Sequence, residues 1–134
     1  MLKMKLKWPE TLPALGILII VASSSCAVVK QSYDQGYKDA TLKADEALLR
    51  QNLKALREVI NQYGIDNGAL PQTLEDFVKA GYINQIPDDP ITKKPDWKIV
   101  LGEKILRSTK QKGITDVHSS SYSSSSEGTS YSTW

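Results

Sequence analysis

The chain has 134 residues, 40% of them hydrophobic and 24% charged, with a formal charge of +2. After allowance for an apolar N-terminal segment, that leaves one small domain, and its single cysteine excludes a disulfide framework or a cysteine zinc site. Nucleic-acid binding is excluded as well, because Lys and Arg alternate with Asp and Glu instead of lining one stripe.

Residues 1–10 form a basic region, with Lys3, Lys5 and Lys7. They precede Thr11 to Val29, nineteen residues without a formal charge. That length is near the roughly 20 residues that cross a bilayer core as a helix. Lysines on one side predict a cytoplasmic N-terminus with the body outside. Leu12, Leu15, Ile17, Leu18, Ile19, Ile20 and Val21 are the anchor positions and touch membrane lipid. The stretch Ser23-Ser24-Ser25-Cys26 also fits the cleavage zone of an export signal. Three fates stay open: retention as a transmembrane anchor, cleavage near Ser25-Cys26-Ala27, or cleavage followed by lipidation of Cys26. The third lacks the usual apolar residue three places before the cysteine, where Ser23 sits. All three export the body.

Residues 30–63 read as a long amphipathic helix. Leu49, Leu53, Leu56, Ile60 and Tyr63 recur at helical spacing as one apolar stripe, widened by Ala47, Ala55 and Val59. Asp45, Glu46, Arg50, Lys54, Arg57 and Glu58 make the solvated face, with Glu46 and Arg50 an i,i+4 pair. Barely three heptads precede Gly64, so the stripe is expected to pack on its own domain rather than in a coiled coil. If the helix is unbroken from Thr11 to Tyr63 it is on the order of 80 Å long.

Residues 64–134 form a small head. Gly64 and Asp66-Asn67-Gly68 are expected to stop the helix. Thr73 caps a short second helix from Leu74 to Gly81, with Asp76 completing a shortened capping box and Leu74, Phe77 and Val78 facing inward. Pro87-Asp88-Asp89-Pro90 forces turn and extended geometry. Trp97, Ile99 and Leu101 predict a strand with one buried face, and Gly113 to His118 predict a second. Ile105 and Leu106 pair at its edge. Lys104, Arg107, Lys110 and Lys112 fall in a solvated hairpin loop. The final sixteen residues, Ser119 to Trp134, contain nine serines, the composition of a disordered low-complexity tail. Against disorder, Tyr122, Tyr131 and Trp134 would gain from burial. The expected head core is Leu49, Leu53, Leu56, Ile60, Leu74, Phe77 and Trp97.

No catalytic constellation emerges. His118 is the only histidine. Asp116 and His118 share one face of a strand from which Ser119 points away, so a triad does not form. Asp88-Asp89, between prolines, reads as turn chemistry. No phosphate-binding glycine loop occurs, and no cofactor is expected.

Several segments together resemble the type II secretion pseudopilins, the major, G-type subunit in particular. They are Ala47-Leu48-Leu49-Arg50-Gln51-Asn52-Leu53, Ile60-Asn61-Gln62-Tyr63, Leu70-Pro71-Gln72-Thr73-Leu74-Glu75-Asp76, Ala80-Gly81-Tyr82-Ile83, Ile86-Pro87-x-Asp89-Pro90 and Pro95-Asp96-Trp97. Asp116-Val117-His118-Ser119, Gly128-Thr129-x-Tyr131 and Trp134 resemble the tail of one branch. The resemblance covers residues 44 to 134. It implies an α+β, pilin-like fold: a long N-terminal helix packed on a short second helix and a small antiparallel sheet, with the Ser-rich tail wrapped against the sheet. It implies a non-enzymatic subunit in the inner membrane, single-pass, with its head in the periplasm. Copies of itself, other pseudopilins and the inner-membrane secretion platform are the implied partners. Subunits stack through their N-terminal helices into a filament that acts as a piston or screw for protein export.

Two departures accompany the resemblance. The Gly-Phe-Thr-Leu-Ile-Glu type junction for prepilin peptidase is absent, and no acidic residue occurs from Thr11 to Val29. The calcium loop of many major pseudopilins is replaced by serines, leaving Asp116 and Glu127 as weak candidates. Calcium prefers six to eight oxygens with several acidic ligands, so no high-affinity metal site is expected. The alternative reading is an exported binding module, with or without a lipid anchor, whose pilin-like head does not polymerise.

Overall fold

The computed structural model describes the backbone of residues 13–134 and the side chains from residue 29 onward. Lys3, Lys5 and Lys7, the anchor positions Leu12, Leu15, Ile17, Leu18, Ile19, Ile20 and Val21, and Cys26 therefore have side chains outside the described residues. Among the described residues no helix is long and apolar enough to cross a membrane.

The architecture is α+β. Helix α1 (Pro13–Asn67) is followed by α2 (Glu75–Lys79), strands β1 (Lys98–Leu106) and β2 (Thr109–His118), and a 3-10 turn at Tyr131–Thr133. The two strands form one antiparallel sheet. By contact density the chain divides into a unit ending at Asp39 and a unit from Ala40 to Trp134.

In the second unit the apolar stripe of α1 makes the floor of the core. Leu49, Leu53, Leu56 and Ile60 are buried there with Leu74, Phe77, Trp97, Ile114, Val117 and Tyr131. Each such side chain contributes about 1.5–3 kcal/mol by leaving water. Val59 and Tyr63 are partly buried against this cluster. Ala47 and Ala55, expected to widen the stripe, are exposed. Trp97 satisfies its indole N–H by donating to the Pro87 carbonyl at 2.8 Å.

Helix α1 does not stop at Gly64. It continues to Asn67, and Gly68, at φ 64°, ends it by donating its N–H to the Gly64 carbonyl. Glycine inside a helix costs about 1 kcal/mol. A Cβ at position 64 would meet Leu106 and Leu70 at 3.4 and 3.8 Å, ordinary van der Waals contact, so packing does not require the glycine there.

Half of the expected capping box at α2 is present: Asp76 reaches back to the Thr73 N–H, but the Thr73 hydroxyl does not cap. The Asp76 carboxylate accepts from the backbone N–H groups of Gln72 and Thr73, both at 2.9 Å. Those bonds hold the Asp76 carboxyl below its usual range. Val78, expected inward, is on the exposed side of this five-residue helix. After α2, Gly81 takes a left-handed φ of 77°, and the Tyr82 and Gly81 N–H groups return to the Phe77 and Val78 carbonyls.

The sheet is a continuous hairpin rather than two strands around a loop. Lys104, Lys110 and Lys112 lie on the strands, and only Arg107 and Ser108 form the turn. Both turn residues have positive φ, 48° and 66°, the geometry of a tight hairpin connection. Arg107 is held there by donating to the Ile65 and Asp66 carbonyls at the end of α1, at 3.2 and 2.6 Å. Ile99 and Leu101 were expected to bury one face of β1; both are exposed, as is Ile105. The core contribution of the sheet comes instead from Ile114 and Val117 of β2. A register shift between Val100 and Leu101 places Thr115 as the extra residue of a β-bulge.

Candidate functional site

The serine-rich tail is ordered by its own hydroxyls. Short polar side chains bond backbone N–H groups two residues on, an alternative to helix or sheet ladders. Ser119 Oγ accepts from the Ser121 N–H, Ser121 Oγ from the Ser123 N–H, and Ser125 Oγ from the Glu127 N–H. A turn closed by Ser125 N–H to Thr129 carbonyl, at 2.7 Å, ends the series. Ser119 is buried and also donates to Asp89, itself fully buried in the Pro-flanked turn, at 2.5 Å.

The turns deliver residues 126–134 onto α1. Glu46 is the centre of that contact, at 2% exposure. Its Oε1 accepts from the Ser126 N–H at 2.6 Å and the Tyr131 hydroxyl at 2.8 Å, and its Oε2 from the Ser126 hydroxyl at 2.6 Å. Burial alone would raise the Glu46 carboxyl, but the Ser126 and Tyr131 bonds outweigh it and hold it below its usual range. Burial and the Glu46 bond push the Tyr131 phenol up to about 12.

Further along α1, Arg50 pairs with Glu127 at 2.9 Å and lies 4.1 Å over the Trp134 ring. Arg57 donates to Asp116 at 2.7 Å and to the Val117 and Trp134 main-chain oxygens at 2.9 and 3.0 Å. Burial opposes ionisation of Asp116, but the Arg57 bond and charge outweigh it and hold its carboxyl low. Trp134 meets Tyr131 edge-to-face, with centroids 5.1 Å apart. An open cleft of about 300 Å³ remains between Arg50, Leu53, Lys54, Arg57, Glu127 and Trp134. Its cations are mostly committed to carboxylates of the same chain, so its chemistry is that of a closed seam.

The tail thus packs chiefly on α1 and the end of β2. Tyr131 is buried and Trp134 half-buried, while Tyr122, expected to gain from burial, is exposed. Glu46, assigned to the solvated face, is the principal correction. A signal for it was present: Glu46 stands three residues before Leu49, seven before Leu53 and fourteen before Ile60, on the apolar stripe itself.

Asp116 and Glu127 are each engaged by a different arginine, and no group of three or more metal-ligating residues occurs among the described residues. His118 Nε2 is 3.7 Å from Asp116, and its Nδ1 meets the Trp134 main-chain oxygen. Ser119 turns its hydroxyl to Asp89 and away from His118. Asp116, His118 and Ser119 therefore make no proton-relay line.

In the first unit, α1 exposes an aromatic stripe. Val29, Tyr33 and Tyr37 follow one another at i, i+4 and i+8, at 66%, 82% and 74% exposure. Gly36 leaves a shallow hollow of about 310 Å³ beside Ser32, Tyr33 and Tyr37. No family model matches the chain, and neither a curated protein nor a solved structure is significantly similar to it.

Proposed function

We propose that this chain is a non-enzymatic, pseudopilin-like subunit of a type II secretion or related type IV pilus-type machine. On this reading a pilin-like head rides on α1 in the periplasm, and residues 11–29 hold the subunit in the inner membrane. The single observation that carries the reading is the division of labour along α1. Its second half buries Leu49, Leu53, Leu56 and Ile60 in the head, whereas Val29, Tyr33 and Tyr37 expose a helical stripe. An exposed stripe at i, i+4, i+8 spacing is suited to receive another helix, with Gly36 admitting a close approach. Copies of this chain and related subunits are the natural occupants in a filament.

The test joins two measurements. The mass of the mature N-terminus of the parent chain, with Cys26 in place, reports processing, and separately Tyr33→Cys with Tyr37→Cys in a Cys26→Ser background reports helix-to-helix contact by disulfide crosslinking in cells. An intact or methylated apolar helix with crosslinked ladders supports the filament subunit. Cleavage before Cys26 with added acyl chains and no ladder assigns the chain to the lipid-anchored binding module. A freely soluble body sinks the filament reading.

A further inference from the structure

The hairpin carries a surface that the filament reading does not use. β1 pairs with β2 on one side only, and among the described residues no backbone hydrogen bond reaches it from any other segment. An unpaired strand edge is a template for another strand unless something guards it. The opposite side of the hairpin is guarded, since the Ile114 N–H donates to the Pro71 carbonyl at 2.8 Å. On β1 the guard is weak. The bulge lies between Val100 and Leu101, leaving Leu101 to Leu106 in regular register with β2. Glu103, the one carboxylate of the edge, is held by Lys110 and Lys112 of β2.

The two faces of this edge have different chemistry. Ile99, Leu101 and Ile105 share one face with the lysine-paired Glu103, which stands between Leu101 and Ile105, and Leu101 and Ile105 are at 71% and 75% exposure. Lys98 and Lys104 occupy the other face, and both are exposed, with Lys104 Nζ donating to the neutral Asn61 Oδ1 of α1 at 2.9 Å and meeting no carboxylate there. Across residues 98–112 the cations are Lys98, Lys104, Arg107, Lys110 and Lys112, against Glu103 alone. A strand added to this edge would set its alternate side chains against these two rows.

We propose that the free edge of β1 docks an extended segment of a partner protein in which apolar and acidic residues alternate. The apolar residues lie beside Ile99, Leu101 and Ile105, and the carboxylates beside Lys98 and Lys104. Main-chain hydrogen bonds supply affinity, and the two rows supply register and selectivity. This proposal does not depend on how the chain is anchored.

The probe is an end-blocked nonapeptide of alternating Val and Glu, titrated into the full-length chain in detergent. A Val/Lys peptide of the same length is the counter-probe, and amide exchange of residues 98–106 is read alongside affinity. The Val/Glu peptide is expected to bind at least about ten-fold more tightly than the Val/Lys peptide. It should slow exchange at alternate amides of β1 and lose affinity as salt rises. The double variant Leu101→Lys, Ile105→Lys should weaken binding by at least about ten-fold. Lys98→Glu with Lys104→Glu should reverse the charge preference. All four side chains are exposed, and an unchanged near-ultraviolet circular dichroism spectrum verifies the fold. Equal binding of the two peptides, or binding that ignores both double variants, overturns the proposal. Self-association abolished by Leu101→Lys, Ile105→Lys with no peptide uptake overturns it too, by giving the edge to a second copy.

Discussion

Replacing Glu46 by Gln separates charge from shape at the tail seam. The amide oxygen can keep the Ser126 N–H and Tyr131 hydroxyl, and the amide nitrogen can donate to the Ser126 oxygen. All three contacts survive in kind, but three charge-assisted bonds of 2.6, 2.6 and 2.8 Å become neutral ones. Bonds to a charged group contribute roughly 1 kcal/mol more than neutral ones. Ser126 is exposed and can return to water, so two of the three losses are discounted. The net cost of tail opening is then about 2 kcal/mol, or about 30-fold in the opening constant. Native-state amide exchange reads it directly at Ser125, Gly128 and Tyr131, whose N–H groups bond within the tail. Glu46→Ala should cost about 3 kcal/mol, because the buried Tyr131 hydroxyl is left without an acceptor. Acid should act the same way in the parent chain. The folded carboxyl lies below its usual 4.5, so its contribution is full above that pH and lost as pH falls through the folded value. Glu46→Gln should shrink that acid loss. Wild-type exchange rates in Glu46→Gln would refute the reasoning and leave Tyr131 and Trp134 packing as the whole of the seam.

Tyr131→Phe should remove an alkaline transition. With the folded phenol at about 12 against an ordinary 10.0, its contribution is full below 10 and is lost as pH rises to 12, seen as tail exchange accelerating over that interval. Arg57→Lys can reach only one of three acceptors, and at this half-exposed site it should cost about 1 kcal/mol in urea denaturation; no change would mean the three bonds are replaceable by water. Gly113→Ala places a Cβ 2.6 Å from the Pro71 carbonyl oxygen and 2.7 Å from the Leu70 Cβ. That overlap should cost about 2 kcal/mol and lower Tm by roughly 10 °C in a scanning melt, and a native-like Tm would show that the 70–72 loop yields freely.

The helical stripe was legible because Leu49, Leu53, Leu56 and Ile60 repeat at the period that physics imposes on a half-buried helix. The residue pattern showed a helix and two strand-like runs, and the α+β class was what the resemblance implied. The hairpin was misread because its turn is Arg107-Ser108, without the Asn or Gly that usually marks positive φ. What stabilises that turn is a pair of helix carbonyls some forty residues away. Ile99 and Leu101 alternate as a half-buried strand should, but β1 is an edge, and the alternation turns outward. Composition likewise called for a disordered tail. A hydroxyl that closes a turn and one that is merely solvated are the same letter, and Glu46 lies 80 residues from the serine that decides the matter. Residues 11–29 and Cys26 were legible only as alternatives, and their side chains lie outside the described residues.

The separation across the tail seam has a consequence for chronology. Ser126, Glu127 and Tyr131 meet α1 at 80, 77 and 85 residues' remove. A chain synthesised from its N-terminus can form α1 early, but Glu46 then faces solvent with no donors from the tail. Its two bonds from Ser126 form only after the hairpin and residue 126 have emerged from the ribosome, and the third only after Tyr131 has followed. Completion of the head is therefore coupled to release of residue 131, and a nascent chain stalled before that point would present α1 with its seam incomplete.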